Sequence, residues 1–307
     1  MSRRFGSLTA VDTLSLDLPD TGVVGLVGPN GSGKSTLIRM LLGLIRPSSG
    51  SAQVLGAPIA HPSSYAQQVG ALIESPSFQP GLSGRGNLAA LARLRGLPQS
   101  RVDEVLEVVG LRGRDRELVR TYSLGMKQRL GIAAALLPDP KLLILDEPTN
   151  GLDPAGIVEI RALLRAQADL GRAVVVSSHL LNEIEAACDY LVIIRFGKLL
   201  FAGPIGQLLA RAHAHIDVEA ENPTDHQRLS EVLTGAGWPA ALDGPGVRVT
   251  AEVGDGAAIN RKAMQAGVVL ASILVVKPSL EDVFLDMTGR DDGELALSRA
   301  HAARGGA

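Results

Sequence analysis

The chain of 307 residues carries 30 basic and 32 acidic side chains, a formal charge of −2, and 46% of its residues are apolar. That apolar content builds a full core and argues against disorder, and a near-neutral charge gives no global basic field for nucleic acid or an anionic membrane. The single cysteine, Cys188, excludes an internal disulfide framework and a cysteine-rich metal site. No unbroken run of about 18 apolar residues is present, so no bilayer span is expected. The start, Met1-Ser2-Arg3-Arg4-Phe5, has a basic tip without the apolar stretch of a secretory leader. A mean hydropathy of +0.19 fits heavy use of Ala, Leu and Val, or a surface that docks on a membrane partner.

In chain order, residues 23–27 read as a buried strand and 34–45 as a helix. Residues 87–96 and 101–109 are helical, and 126–137 form a helix stopped by Pro138-Asp139-Pro140. A continuous apolar strand at 141–145, a long helix at 155–170, a strand at 173–177 and a helix at 180–188 follow. Residues 190–195 and 198–201 pair as strands across Phe196-Gly197. Strands alternating with helices predict an α/β domain with a mostly parallel sheet covered on both faces. The pattern breaks around 211–215. Beyond it come a strand at 216–220, a helix at 225–234, a strand at 246–252, a helix at 257–266, a strand at 268–276 and a helix at 279–287. That set is a small α+β domain of about 75 residues. The expected division is 1–212 with a helical subdomain at about 76–137, then 213–289, then an Ala-, Gly- and charge-rich tail at 290–307. No internal repeat is visible.

Two segments carry chemistry. Gly28, Pro29, Asn30, Gly31, Ser32, Gly33, Lys34, Ser35 and Thr36 fit G-x-x-x-x-G-K-[ST] between an apolar strand and a helix. The glycines let backbone N–H groups converge on phosphate oxygens, Lys34 reaches the β- and γ-phosphates, and the Ser35 hydroxyl ligates Mg²⁺. The helix that follows aims its N-terminal dipole at the anion. The competing reading is a Gly-rich turn. In Leu142-Leu143-Ile144-Leu145-Asp146-Glu147 four apolar residues bury a strand and two carboxylates emerge at its end. Asp146 would hold Mg²⁺ through water and Glu147 would polarise an attacking water. Pro148 then turns the chain away from the sheet.

These segments, with Tyr122-Ser123-Leu124-Gly125-Met126-Lys127-Gln128-Arg129, Leu145-Asp146-Glu147-Pro148-Thr149, Gly151-Leu152-Asp153 and Ser178-His179, stand in the order and spacing of ABC-transporter ATPases. The chain resembles that family over about residues 5–205. The resemblance implies a P-loop NTPase fold with a helical subdomain, ATP and Mg²⁺ as cofactors, and hydrolysis of ATP. It also implies roles. Phe5 would stack on adenine; otherwise it is a core side chain. The strand that usually precedes this aromatic has only the four residues before it. Glu74, 40 residues after Lys34, stands where most of the family has glutamine. It would ligate Mg²⁺ and couple the site to the membrane partner while adding negative charge near the γ-phosphate; otherwise it is a surface glutamate. Ser123 and Gly125 would contact a γ-phosphate held by the opposite subunit. One phosphate loop and one signature per chain then imply a two-fold, head-to-tail ATP sandwich with a second ATPase subunit, a homodimer being favoured. His179 would contact the γ-phosphate, although a lone histidine after an apolar strand otherwise reads as a satisfied core-edge group. Asp153 would bridge the two subunits; otherwise it sits in a surface turn.

Three stretches narrow the branch. Val69-Gly70-Ala71-Leu72-Ile73-Glu74-Ser75-Pro76, Ser123-Leu124-Gly125-Met126-Lys127-Gln128-Arg129 and Pro278-Ser279-Leu280-Glu281-Asp282-Val283-Phe284 resemble the ATPases of ABC-2 type exporters, in particular the bacitracin- and lantibiotic-resistance and daunorubicin-resistance groups. This implies export of an antibiotic, peptide or other small molecule through a separate integral membrane permease of ABC-2 type. The chain would then be cytoplasmic and peripheral on the inner face of the cell membrane, with no nucleic-acid partner. The C-terminal unit resembles the accessory domain of that branch, and 278–284 reads as a capped helix with a buried Phe face. Two alternatives stand beside the exporter. One is a soluble ABC ATPase acting on ribosomes or DNA, opposed by a single cassette without sustained heptads or a basic arm. The other is a slow ATP-gated dimerisation module, opposed by Glu147 and kept open by Glu74 and Leu124.

Overall fold

A computed structural model of the chain describes residues 1–74, 76–210, 214–276, 279–281 and 283–284. It divides into two compact units, Met1–Ile205 and Gly206–Ala307. This boundary precedes the composition break read from the sequence at 212/213, because the last strand of the first unit ends at Pro204 and the short helix after it falls mostly in the second.

The first unit opens with a hairpin of β1 (Arg3–Phe5) and β2 (Leu8–Val11). It continues through β3 (Gly22–Val27), α1 (Lys34–Leu41), a two-residue pair β4 (Gln53–Val54) and β5 (Ala57–Pro58), and β6 (Val69–Leu72). Then come α2 (Gly84–Leu94), α3 (Ser100–Val108) and α4 (Leu124–Leu136), followed by β7 (Leu142–Asp146), α5 (Pro154–Asp169), β8 (Ala173–Ser178), α6 (Leu181–Glu185), β9 (Tyr190–Arg195) and β10 (Lys198–Pro204). Six strands form one sheet in the order β10-β9-β3-β8-β7-β6, all neighbours parallel except β10, which returns antiparallel along β9. Parallel strands covered on both faces need apolar side chains at successive positions, not alternate ones. Val23, Val24, Leu26 and Val27 of β3 and Leu143, Ile144 and Leu145 of β7 are accordingly all buried.

Helix α1 ends four residues before the expected 45. Gly43 takes φ +70°, its N–H donates to the Met40 carbonyl at 3.0 Å, and the Leu44 N–H donates to the Arg39 carbonyl at 2.9 Å. These two bonds close a Schellman turn, which an L-residue in the left-handed region would strain. Helix α4 starts two residues earlier than expected, because the Ser123 hydroxyl accepts the Met126 N–H at 3.2 Å and caps it. The strands β1, β2, β4, β5 and β6 escaped the sequence reading. With two to four residues each they are too short for a periodicity.

The second unit takes in most of α7 (Ile205–Leu209) and then runs β11 (His215–Ala220), α8 (His226–Gly235), β12 (Ala240–Asp243), β13 (Gly246–Thr250), α9 (Gly256–Gln265) and β14 (Leu270–Val276). Its four strands lie antiparallel in the order β12-β13-β11-β14. Order and connectivity together make two interleaved split βαβ units, the ferredoxin-like arrangement. Ile216, Val218, Val247 and Val249 of the inner strands meet Leu229, Leu233, Ile259 and Ala263 of the two helices in a closed core. The strand expected at 246–252 stops at Thr250, because Glu252 and Asp255 form a capping box at a following 3₁₀ turn. Of the helix expected at 279–287, residues 280, 281, 283 and 284 are helical; 282, 285–287 and the tail at 290–307 lie outside the described residues. Among the described residues no helix is long and apolar enough to cross a membrane.

Candidate nucleotide site

Three neighbouring strands, β3, β8 and β7, deliver the chemistry at their carboxyl ends, where open parallel sheets hold their ligands. The phosphate loop leaves β3 and enters α1 at Lys34. Gly33 has φ +111°, and a Cβ there would sit 2.3 Å from the Ala10 carbonyl of β2, so only glycine fits against that hairpin. The Gly197 N–H donates to the Ser32 carbonyl at 2.8 Å and ties the loop to the β9–β10 turn. Lys34 is buried, and its Nζ donates to the Gly28 carbonyl at 2.7 Å, folding back over the loop it would share with a phosphate. Ser35 and Thr36 lie in the first turn of α1.

The acidic half of the site is built across β7 and β8. Asp146 is 3% exposed and its Oδ1 accepts the Ser177 hydroxyl at 2.5 Å. Glu147 takes φ +51°, unusual for a side-chain-bearing residue. Its N–H donates to the Ser177 Oγ at 2.9 Å. Its Oε2 lies 2.8 Å from His179 Nδ1 and its Oε1 3.6 Å from Lys34 Nζ. A carboxylate only accepts, so His179 presents a protonated Nδ1 to it.

These residues fit a nucleotide and a hard cation. The Ser32 hydroxyl, in a residue 2% exposed, has no hydrogen-bond partner among the described residues and lies beside Gly28. A buried hydroxyl left so is costly unless a ligand satisfies it. Among the described residues no group of three or more His, Cys, Asp or Glu gathers into a protein-only metal cage. Mg²⁺ suits a poorer set, one carboxylate and a hydroxyl completed by phosphate oxygens and water, and Asp146 and Ser35 are residue types that would supply it.

The other expected residues make their contacts elsewhere. Phe5 is 44% exposed and the Arg3 guanidinium covers one ring face, 4.4 Å from its centroid, while Arg3 Nη1 donates to the Arg46 carbonyl at 2.9 Å. Glu74 is exposed, has φ +60°, and forms an ion pair with Arg39 of α1. Ser123 caps α4, and Asp153 caps α5 by accepting the Gly156 N–H at 2.9 Å. Gly125 lies next to Leu152, and Leu124 packs on Gly151. The structure thus brings Lys34, Asp146, Glu147 and His179 together. Ser123, Gly125 and Asp153 stand at helix starts, and Phe5 and Glu74 stand at exposed positions. Ser177, Arg3 and Arg39 were passed over in the sequence. For Ser177 the available signal was a hydroxyl closing a run of valines; for the two arginines there was none.

The profile of the ABC transporter family matches residues 11–150. The chain is 38% identical over 293 residues to the bacitracin transport ATP-binding protein BcrA of Bacillus licheniformis, covering 94% of this chain and 95% of that protein. It is 39% identical over 290 residues to the uncharacterized ABC transporter ATP-binding protein YhcH of Bacillus subtilis, covering 94% and 93%. With the daunorubicin/doxorubicin resistance ATP-binding protein DrrA of Streptomyces peucetius it shares 32% over 319 residues, covering 96% and 93%. Among solved structures it is similar to cbiO1 from Clostridium perfringens, part of the cbiONQ ABC transporter complex, with a TM-score of 0.61, 29% identity, and coverage of 66% of this chain and 84% of that one. Its motifs, its fold and relatives aligned along nearly its whole length together make the chain an ATP-binding, ATP-hydrolysing subunit of the ABC transporter family.

Proposed function

We propose that the chain dimerises on ATP and hydrolyses it to drive export of an antibiotic, peptide or other small molecule through a separate ABC-2 type permease. It would work from the cytoplasmic face of the membrane, with residues 1–212 as the motor and 213–289 as an accessory domain. The exporter branch is supported by likeness to the bacitracin and daunorubicin/doxorubicin proteins. The observation that carries hydrolysis is the Glu147 carboxylate poised between His179 Nδ1 and Lys34 Nζ beside the phosphate loop.

In this reading Phe5 stacks on the base, and the amides of residues 28–36 wrap the phosphates. Lys34 leaves the Gly28 carbonyl for the β- and γ-phosphates. Ser35, Asp146 and Glu74 would hold Mg²⁺, which when bound neutralises charge on the phosphate oxygens. Glu147 orients a water in line with the γ-phosphate, and His179 stabilises the charge on the transferred group. Ser123 and Gly125 close the site of a second, identical chain from across a two-fold axis, and Asp153 links the two sites.

The test is Glu147→Gln, which keeps shape and removes the base. Turnover should fall by about two orders of magnitude or more, while ATP should still drive monomer to dimer in sedimentation velocity. Wild-type turnover in this variant would overturn the assignment. The transport half is tested by purifying the tagged variant with ATP from mildly solubilised membranes of its native host. A multi-span protein in near-equal amount is the expected companion, and ribosomes or DNA in its place would refute the exporter.

A further inference from the structure

We propose that Ser177 is a positioning residue for ATP hydrolysis: its hydroxyl sets the orientation of both acidic side chains at the end of β7. The inference rests on the roles given above to Asp146 and Glu147. Ser177 is 0% exposed in a strand whose other residues are Ala173, Val174, Val175, Val176 and the terminal Ser178. At such a position an apolar residue costs nothing, whereas a hydroxyl is expensive to desolvate unless its hydrogen-bonding capacity is used. Here it is used both ways. The parallel register sets Ser177 directly opposite Asp146. The hydroxyl donates to Asp146 Oδ1 at 2.5 Å and accepts the Glu147 N–H at 2.9 Å.

Each bond has a separate consequence. The first holds one oxygen of Asp146 and stops rotation of the carboxylate, leaving the other oxygen to face a ligand in a fixed direction. The second pins a peptide that would otherwise relax. Glu147 sits in the left-handed region at φ +51°, a conformation that persists only where its surroundings over-determine it. Further along that turn the Asn150 N–H donates to the Glu147 carbonyl at 3.2 Å and the Leu152 N–H to the Thr149 carbonyl at 3.1 Å. With the amide held, the side chain emerges toward His179 and Lys34. His179 lies two residues after Ser177 in the chain, so one strand end carries both the positioning hydroxyl and the imidazole. A hydroxyl bridging two neighbouring acids acts on the geometry of attack rather than on capture of the nucleotide, and displacements of the order of 1 Å at a reacting centre cost up to about a hundredfold in rate.

Ser177→Ala removes the hydroxyl at nearly constant volume, and Ser177→Thr returns one. The readouts are kcat and KM for ATP, ADP affinity by calorimetry in EDTA and again with Mg²⁺, and thermal melting. For Ser177→Ala, kcat should fall about ten- to a hundredfold with KM changed less than about twofold. ADP affinity in EDTA should match wild type, while the gain in affinity on adding Mg²⁺ should shrink severalfold. Ser177→Thr should recover most of the rate. An unchanged kcat and an unchanged Mg²⁺ gain in Ser177→Ala would overturn the proposal. So would a loss of ADP affinity in EDTA parallel to the loss of rate, which marks a structural role. Glu147→Gln run alongside separates the two readings. If it turns over at the wild-type rate, the assignment of Glu147 fails; if it is dead while Ser177→Ala is normal, only the role of Ser177 fails.

Discussion

Asp153 is assigned by resemblance to the junction between two subunits, yet within one chain its carboxylate caps α5, accepting the Gly156 N–H at 2.9 Å with Pro154 in the first helical position. The two roles separate by substitution. Losing an N-cap oxygen costs about 0.5–2 kcal/mol, and losing negative charge beside the helix N-terminus costs a further 0.3–1 kcal/mol or so. Asp153→Ala suffers both; Asp153→Asn and Asp153→Ser keep the acceptor and lose only the charge. For a unit running from Met1 to Ile205, each kcal/mol moves the melting temperature by about 2–4 °C. Asp153→Ala should therefore melt about 2–12 °C below wild type, and the Asn and Ser variants within about 4 °C of it. A subunit bridge that needs the charge ranks them differently. In a Glu147→Gln background, where ATP-driven dimers accumulate, all three variants should dimerise poorly in sedimentation velocity. An Asp153→Ala chain melting with wild type would refute the cap. Asn and Ala variants that differ in dimerisation as they differ in melting would show that the apparent bridge is only the cap seen at a distance.

Burial pushes the Cys188 thiol up to about 12. At about pH 8 its thiolate fraction is then about a thousandfold or more below that of a free cysteine, so iodoacetamide should modify the folded chain at least that much more slowly than the guanidine-unfolded chain; equal rates would refute the buried placement. Asp115 of the helical subdomain gives a pH signature. Burial raises its carboxyl, but the Arg85 guanidinium at 2.6 Å and the Gly113 N–H at 3.0 Å outweigh it and hold the group below its usual value. A folded pKa below the unfolded one adds stability that is present above the unfolded value and lost as pH falls through the folded one. Asp115→Asn should therefore be destabilised near neutrality, and the gap to wild type in urea titrations should narrow as pH falls below the ordinary carboxylate value of about 3.9. A gap constant across that range would show that the contact matters for packing and not for charge.

What was legible in the sequence was contiguous. The phosphate loop needs Gly33, Lys34 and Ser35 side by side, and the strand ending in Asp146 and Glu147 needs an apolar run directly before its acids, so both can be read along the chain. The partners of those residues come from other elements and have no spacing of their own. Ser177 reaches Asp146 across a strand pair, Arg39 meets Glu74 from a helix, and Arg3 lies over Phe5 while bonded to Arg46. In a linear reading each is an ordinary serine or arginine. Short strands such as β6 and β12 were lost for a related reason, since four residues carry too little periodicity to outweigh turns on either side. The residues hardest to read are those with two uses. Ser123 and Asp153 were singled out for contacts across a dimer, and within one chain their oxygens hold the first turns of α4 and α5. Helix caps and nucleotide contacts both call for a small polar side chain where backbone N–H groups lie open. The residue type therefore does not separate the uses. Formation of the ATP sandwich must then either keep these cap bonds and use the remaining lone pairs and hydrogens of the two side chains, or exchange the caps for the nucleotide and the neighbouring subunit. The second route makes stability of the α4 and α5 first turns part of the equilibrium for dimerisation, so a change at either cap alters both at once.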